Sequence, residues 1–293
     1  MKKNIGWIGT GVMGKSMCMH LLNAGHSIFI FNRTKEKALE LISSGAKWCE
    51  SPKETALNSD ITFTIIGFPE DVKQVIFGEN GVLAGSKQGN IIVDMTTSEP
   101  SLAEEIYNNA SAKGVSCIDA PVSGGDTGAK EAKLAIMAGG DKEAYDIVFP
   151  LFEIMGKNIA FMGKAGSGQH TKMCNQILIA STMIGVVESL IYSYKSGLKP
   201  EEIIAVIGKG AAGSWSINNL GPKICKKDFS PGFFIKHFVK DMGIALQEAK
   251  KMKLSLPGLS MAYQFYLSAV AMGLENLGTQ GLYKVFEKIN GIV

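Results

Sequence analysis

The sequence lacks most of what would mark a metal, disulfide or membrane protein. Its five cysteines, Cys18, Cys49, Cys117, Cys174 and Cys225, are odd in number, scattered and never spaced as CxxC. That pattern argues against a disulfide framework and a zinc site, and it fits a reducing compartment. The four histidines, His20, His26, His170 and His237, show no ligand spacing either, so no metal is expected. Net charge is scarce: +3 is too small to argue for nucleic acid or an anionic membrane as a partner. The most apolar run, Ile177 to Ile191, contains Gly185 and Glu188 and falls short of the roughly 20 apolar residues of a membrane span. No secretory signal opens the chain, because an apolar strand begins almost at once and leads into a glycine turn. No internal repeat or low-complexity linker is visible. A soluble, cytoplasmic protein is expected.

What is present is long enough for two hydrophobic cores, at 293 residues. Short apolar runs at Ile5 to Ile8, Ile28 to Phe31, Ile61 to Ile66, Ile91 to Val93, Val115 to Ile118, Leu134 to Met137 and Ile159 to Phe161 read as strands. Helical patterns separate most of the early ones, so a mainly parallel sheet covered on both faces is expected. Beyond Gly163 the strands stop. Lys172 to Tyr194 reads as one long apolar helix, which such composition predicts to be buried, either in a domain core or against a second subunit. Glu201 to Ile207, His237 to Met252, Leu259 to Met272 and Leu282 to Ile289 follow as helices. The fold class expected is α/β: an N-terminal domain, residues 1–163, then an all-helical domain, residues 164–293.

Gly9-Thr10-Gly11-Val12-Met13-Gly14 is GxGxxG placed directly after a strand and opening a helix. The first glycine permits the tight turn, the second lets backbone approach a pyrophosphate, and the third lets helix pack on strand. The helix N-terminus offers free N–H groups to the anion. With 34 glycines in the chain the motif alone is weak, but its position between strand and helix makes it specific. The second strand is followed by Asn32-Arg33-Thr34, with no acidic residue to hold a ribose 2′-hydroxyl. Arg33 offers a planar cation and Thr34 a hydroxyl, which suit a 2′-phosphate. NADP is therefore the cofactor expected, with NAD possible at a tolerant turn.

Two further segments carry chemistry. Asp119-Ala120-Pro121-Val122-Ser123-Gly124-Gly125 exposes backbone N–H groups as a carboxylate nest does, and its Asp119 is a candidate for simply fixing the turn. Lys172, Asn175 and Gln176 are spaced i, i+3, i+4, on one helix face behind the glycines of Gly163 to Gly168. Lys172 is the charge at the start of an otherwise apolar helix, where an unpaired ammonium is costly unless used.

Together with Lys240-Asp241 these segments resemble the β-hydroxyacid dehydrogenase family, over essentially the whole chain and in the expected order. That family includes 3-hydroxyisobutyrate dehydrogenases and tartronate, glyoxylate and succinic semialdehyde reductases. The resemblance implies a Rossmann domain followed by a helical domain, usually in dimers or tetramers, acting on a small carboxylate-bearing substrate. It implies Lys172 as catalytic acid/base, Asn175 as a substrate-holding residue, and Ser123, Gly124 and Gly125 as the carboxylate site. Thr97 would contact cofactor or substrate, Lys240 would close over the cofactor, and Phe68-Pro69 would form the loop against it. Burial and a positive nicotinamide should favour the neutral amine that the oxidative direction needs.

Gln176 departs from the second asparagine of many members, and Trp215 is a candidate for narrowing the substrate side. 6-Phosphogluconate dehydrogenase itself has a larger helical domain and a histidine where Asn175 stands. Imine reductases usually lack the lysine, and a non-catalytic dinucleotide-binding protein would not need Lys172 or the DAPVSGG segment.

Overall fold

The computed structural model describes residues 2–292. Contacts divide the chain into two compact units, Met1–Lys172 and Met173–Val293.

The first unit is built on nine strands: β1 (Asn4–Ile8), β2 (Ser27–Phe31), β3 (Lys47–Trp48), β4 (Ile61–Thr64), β5 (Ile91–Asp94), β6 (Ser116–Asp119), β7 (Val122–Ser123), β8 (Leu134–Gly140) and β9 (Gly156–Gly163). Their helices are α1 (Val12–Asn23), α2 (Leu39–Ser43), α3 (Pro52–Leu57), α4 (Pro69–Phe77), α5 (Val82–Gly85), α6 (Pro100–Ser111), α7 (Gly125–Lys130) and α8 (Lys142–Met155). The sheet order is β3-β2-β1-β4-β5-β6-β8-β7, with β9 beside β8. β1 to β6 pair in parallel, while β8 runs antiparallel to β6 and β7. The chain winds outward from β1 to β3, then returns to place β4 on the other side of β1. That reversal opens a crevice at the carboxyl ends of β1 and β4, where doubly wound sheets take ligands.

Strands β4 and β5 are buried at every position, as expected of parallel strands covered on both faces. Trp7, Phe63 and Phe152 form the aromatic centre: Trp7 stacks on Phe63 at 5.5 Å and Phe63 meets Phe152 edge-on. The Trp7 indole N–H donates to the Gly9 carbonyl at 2.9 Å, so the core's largest side chain also steadies the first turn.

The second unit holds most of α9 (Ser167–Lys195), then α10 (Pro200–Ile207), α11 (Trp215–Asn219), α12 (Gly221–Cys225), α13 (Ile235–Lys251), α14 (Pro257–Ala271) and α15 (Leu282–Ile289). Its core gathers Met183, Val187 and Leu190 of α9 with Phe238, Met242 and Tyr266.

Within its own unit α9 buries Met183, Val187 and Leu190, and it leaves Leu178 69% exposed and Tyr192 75%. The membrane argument needs correcting. At 29 residues, α9 is long and apolar enough to cross a membrane by length and composition, since polar residues within a helix do not end it. Fewer than half of its most apolar eighteen residues are buried.

Candidate active site

The site begins at the turn after β1. Gly9 sits at φ +104°, and a Cβ there would lie 2.1 Å from the Ile65 carbonyl oxygen at the end of β4. A Cβ on Gly14 would lie 2.2 Å from the Gly9 oxygen. Both glycines are required by the protein's own packing. Gly11 is different: its φ is −68°, and a Cβ there would meet nothing within 4 Å. As N-cap of α1 it offers no side-chain cap, and the first turn of α1 holds no acidic residue. An uncapped helix start with room left before it suits an anion. The hydroxyl of Thr10 is buried with no hydrogen-bond partner among the described residues. These features fit a dinucleotide pyrophosphate against Gly9, Thr10, Gly11, Val12, Met13 and Gly14.

Asn32, at the end of β2, accepts a hydrogen bond from the Thr10 N–H through Oδ1 at 2.9 Å and donates to the Thr34 carbonyl. Its amide therefore ties the glycine turn to the segment that follows β2. Arg33 reaches outward, with its side chain 85% exposed and 3.2 Å from Asp71 on α4. Such an exposed pair holds the guanidinium weakly. Thr34 precedes a short 3₁₀ turn and makes no side-chain cap bond. Phe68, partly exposed, is the N-cap of α4, and Pro69 is its buried first residue.

The loops after β4, β5 and β6 are fastened to one another. Asp94, at the end of β5, accepts from the Thr64 hydroxyl at 2.7 Å and from the Thr96 N–H at 3.1 Å. The Thr96 hydroxyl accepts from the Ile66 N–H at 3.0 Å. Thr97, half-buried, lies between Thr96 and Ser98 in this fixed loop. Gln169, wholly buried in the first turn of α9, accepts from the Ser98 N–H at 3.0 Å and donates to the Thr96 carbonyl at 2.7 Å.

Asp119 of β6 completes the fastening. It accepts from the Gly166 N–H through Oδ1 at 2.9 Å and from the Gln169 N–H through Oδ2 at 2.8 Å, so it does fix a turn, but one far along the chain. The approach depends on two glycines. A Cβ on Gly168 would lie 2.3 Å from the Met137 carbonyl, and one on Gly139 would lie 2.8 Å from the Gly168 nitrogen. Lys172, buried, follows three residues after Gln169 on the same helix. Ser123 ends β7, and Gly124 and Gly125 follow with successive positive φ of 134° and 64°. That backbone is one that glycine adopts readily.

Burial pushes the Asp119 carboxyl up to about 7, against its two amide hydrogen bonds, which pull down. A carboxyl raised in this way binds its proton more tightly folded than unfolded. Its contribution to stability is therefore full below its ordinary value of 3.8 and falls as pH rises to about 7. Asp119→Asn is expected to flatten that part of the Tm-against-pH curve. A variant that keeps the wild-type slope would assign the proton to another group.

In the second unit a chain of polar groups joins residues from α9 and α13. Asn175 donates through Nδ2 to Gln176 Oε1 at 2.7 Å, and Gln176 donates through Nε2 to Asp241 Oδ2 at 2.5 Å. Lys240 Nζ lies 2.9 Å from Asp241 Oδ1. Gln176 and Asp241 are fully buried, so the departure at Gln176 is a bridging amide that orients Asn175 and shares a carboxylate with Lys240. Burial, with Lys240 and Lys236 nearby, pulls the His237 imidazole below its ordinary value despite Asp241, which keeps it neutral. Trp215 is exposed at the start of α11. Among the described residues no group of three His, Cys, Asp or Glu is placed to hold a metal ion.

The bridging roles of Gln169 and Asp241, and the remote partners of Asp119, are not legible in the sequence. The signal available for Gln169 was an amide one helical turn before Lys172, directly behind the glycines of Gly163 to Gly168.

Residues 4–163 match the NAD binding domain of 6-phosphogluconate dehydrogenase, and residues 166–286 match the family described as NAD-binding of NADP-dependent 3-hydroxyisobutyrate dehydrogenase. The chain is 54% identical over 289 residues to the probable 3-hydroxyisobutyrate dehydrogenase-like 1, mitochondrial, of Arabidopsis thaliana, covering 98% of this chain and 86% of that one. It is 36% identical to the 2-hydroxy-3-oxopropionate reductase of Escherichia coli (strain K12), covering 97% of each. Among solved structures, the Mycobacterium tuberculosis 3-hydroxyisobutyrate dehydrogenase with L-serine superposes with a TM-score of 0.88 at 28% identity, covering 98% of this chain and 99% of that one.

Proposed function

The chain belongs to the β-hydroxyacid dehydrogenase family, NAD(P)-dependent oxidoreductases of small hydroxy acids, and on that premise we propose that it interconverts a small β-hydroxy acid and its aldehyde acid with NADP(H), Lys172 moving the proton. The observation that carries the reading is the buried Lys172 on a helical turn fastened to the loops after β5 and β6.

When bound, the dinucleotide supplies or accepts the hydride. On reduction the carbonyl oxygen takes a proton from the Lys172 ammonium, and on oxidation the neutral amine takes the alcohol proton. Ser123, Gly124 and Gly125 hold the substrate carboxylate through backbone amides and a hydroxyl, and Asn175 holds the substrate through its amide. Thr97 and the Phe68-Pro69 loop contact the dinucleotide, with Thr97 also reaching substrate, and Lys240 contacts the dinucleotide. The preference for NADP is supported by the lack of a carboxylate after β2 and by the exposed Arg33 beside Thr34, which suit a 2′-phosphate. Reduction is the favoured direction, since NADPH commonly drives reductions.

The exposed apolar side chains of α9, Leu178 and Tyr192, support a homodimer or homotetramer that covers them. A monomeric mass by light scattering would overturn that part. The scattered, unpaired cysteines fit a reducing compartment, which supports a cytoplasmic protein.

The test is initial-rate oxidation of NADPH, with NADH in parallel, on glyoxylate, succinic semialdehyde, tartronate semialdehyde and methylmalonate semialdehyde. A clear rate with one of them, faster with NADPH, is expected. Equal or faster rates with NADH would remove the assigned role of Arg33. NADPH binding without turnover on any of the four would shift the reading to another acid or to a non-catalytic protein.

A further inference from the structure

We propose that Gln169 is a positioning residue for this reaction: its buried amide fastens the loop bearing Thr97 to the helical turn bearing Lys172. The inference rests on the reading of Lys172 as the proton carrier, and it names the residue that sets where that lysine stands.

The amide has two partners of opposite kind. The Ser98 N–H can only donate and the Thr96 carbonyl can only accept, so Oε1 faces the first and Nε2 the second, and the orientation is settled by chemistry. Thr96 and Ser98 are both buried, so without Gln169 two backbone groups would lose their partners away from water. No apolar side chain serves here, and a carboxylate serves only one of the two groups.

Gln169 is itself held at both ends. Its own N–H is fixed on Asp119 Oδ2, and the loop it grips is fixed from the far side by Asp94 on the Thr96 N–H. The Thr96 hydroxyl extends the same fastening to Ile66, after β4. Three strand ends therefore bear on one helical turn, and Lys172 lies i+3 from Gln169 on one side of that helix. A displacement of about 1 Å at a reacting group costs on the order of 10²-fold in rate. Loosening this amide is thus expected to act on turnover.

Two variants test the proposal in the full-length protein. In Gln169→Leu the kcat is expected to fall at least about tenfold, with a smaller change in KM for the aldehyde acid. In the same ligand-free variant the Ser98 amide is expected to exchange its hydrogen at least about tenfold faster, because its acceptor is gone. In Gln169→Glu a protonated carboxyl can both accept from Ser98 and donate to Thr96, whereas the ionised form cannot donate. The ratio of its kcat to the wild-type kcat is therefore expected to rise as pH falls. The titratable groups around that position are Asp119 on β6, Asp94 at the end of β5 and Lys172 on α9, and comparison with wild type at each pH cancels their own titration.

A wild-type kcat in Gln169→Leu, or a flat ratio in Gln169→Glu, would overturn the proposal while leaving the reaction intact. Unchanged Ser98 exchange would overturn the fastening itself. A wild-type protein without turnover on the panel would instead fail the reading of the reaction, and Ser98 exchange would still decide whether Gln169 fastens the loop.

Discussion

Replacing Lys172 by alanine is expected to lower kcat by about 10²–10⁴-fold, the range typical of a lost general acid/base. The dissociation constant for NADPH should change little, because the glycine turn after β1 is fixed by hydrogen bonds with Asn32, Phe31 and Trp7. Lys172→Arg sharpens the result. A guanidinium keeps the charge but does not release its proton in a protein, so it should fail as well. Steady-state rates together with a fluorescence titration of NADPH separate the two effects. Turnover near wild type in Lys172→Ala would sink the assigned mechanism, and equal loss of binding and rate would make the lysine a binding group.

The second large effect contrasts two glycines of one motif. Gly9→Ala places a methyl 2.1 Å from a backbone oxygen at a residue with φ +104°, so strain and overpacking act together. Each is worth about 1–3 kcal/mol, and the variant should be destabilised by roughly their sum. Gly11→Ala meets no protein atom, so its Tm should move by at most about 2–4 °C, from the poorer N-cap alone. Its methyl instead occupies the approach to the helix start, and NADPH should bind at least about tenfold more weakly, or 1.4 kcal/mol. Isothermal titration and thermal melts of both variants check this. A Gly11→Ala protein that binds NADPH as wild type does would remove the pyrophosphate from this turn.

Much of the first unit was legible because its strands are buried on both faces. β5 announces itself by the apolar run Ile91 to Val93, and β4 by its β-branched and aromatic residues, Ile61 to Thr64. β3 and β7 contain two residues each, too few to show any period. β8 runs on through Gly139 and Gly140, which composition alone marks as a stop. The long helix was visible from its composition, but its exposure was not. Leu178 and Val187 are equally apolar, and only the packing decides which lies inside.

The candidate site divides in the same way. The glycine turn and Lys172 were legible because motif and chemistry coincide there. Asn32 was read as touching cofactor, and its bonds to Thr10 and Thr34, which tie the turn to the next segment, were not legible. Gln169 and Asp119 act through partners remote in the chain, and a spacing argument reaches no farther than a few turns of one helix.

The bonds that hold the Lys172 turn close over long stretches of chain. Gly166 and Gln169 reach Asp119 across 47 and 50 residues, and Gln169 reaches Ser98 and Thr96 across 71 and 73. Such contacts form only after the intervening strands have been laid down and their loop entropy has been met. This turn is thus expected among the late structures to assemble as the chain folds, so the machinery around Lys172 is completed only once the sheet that carries it is in place.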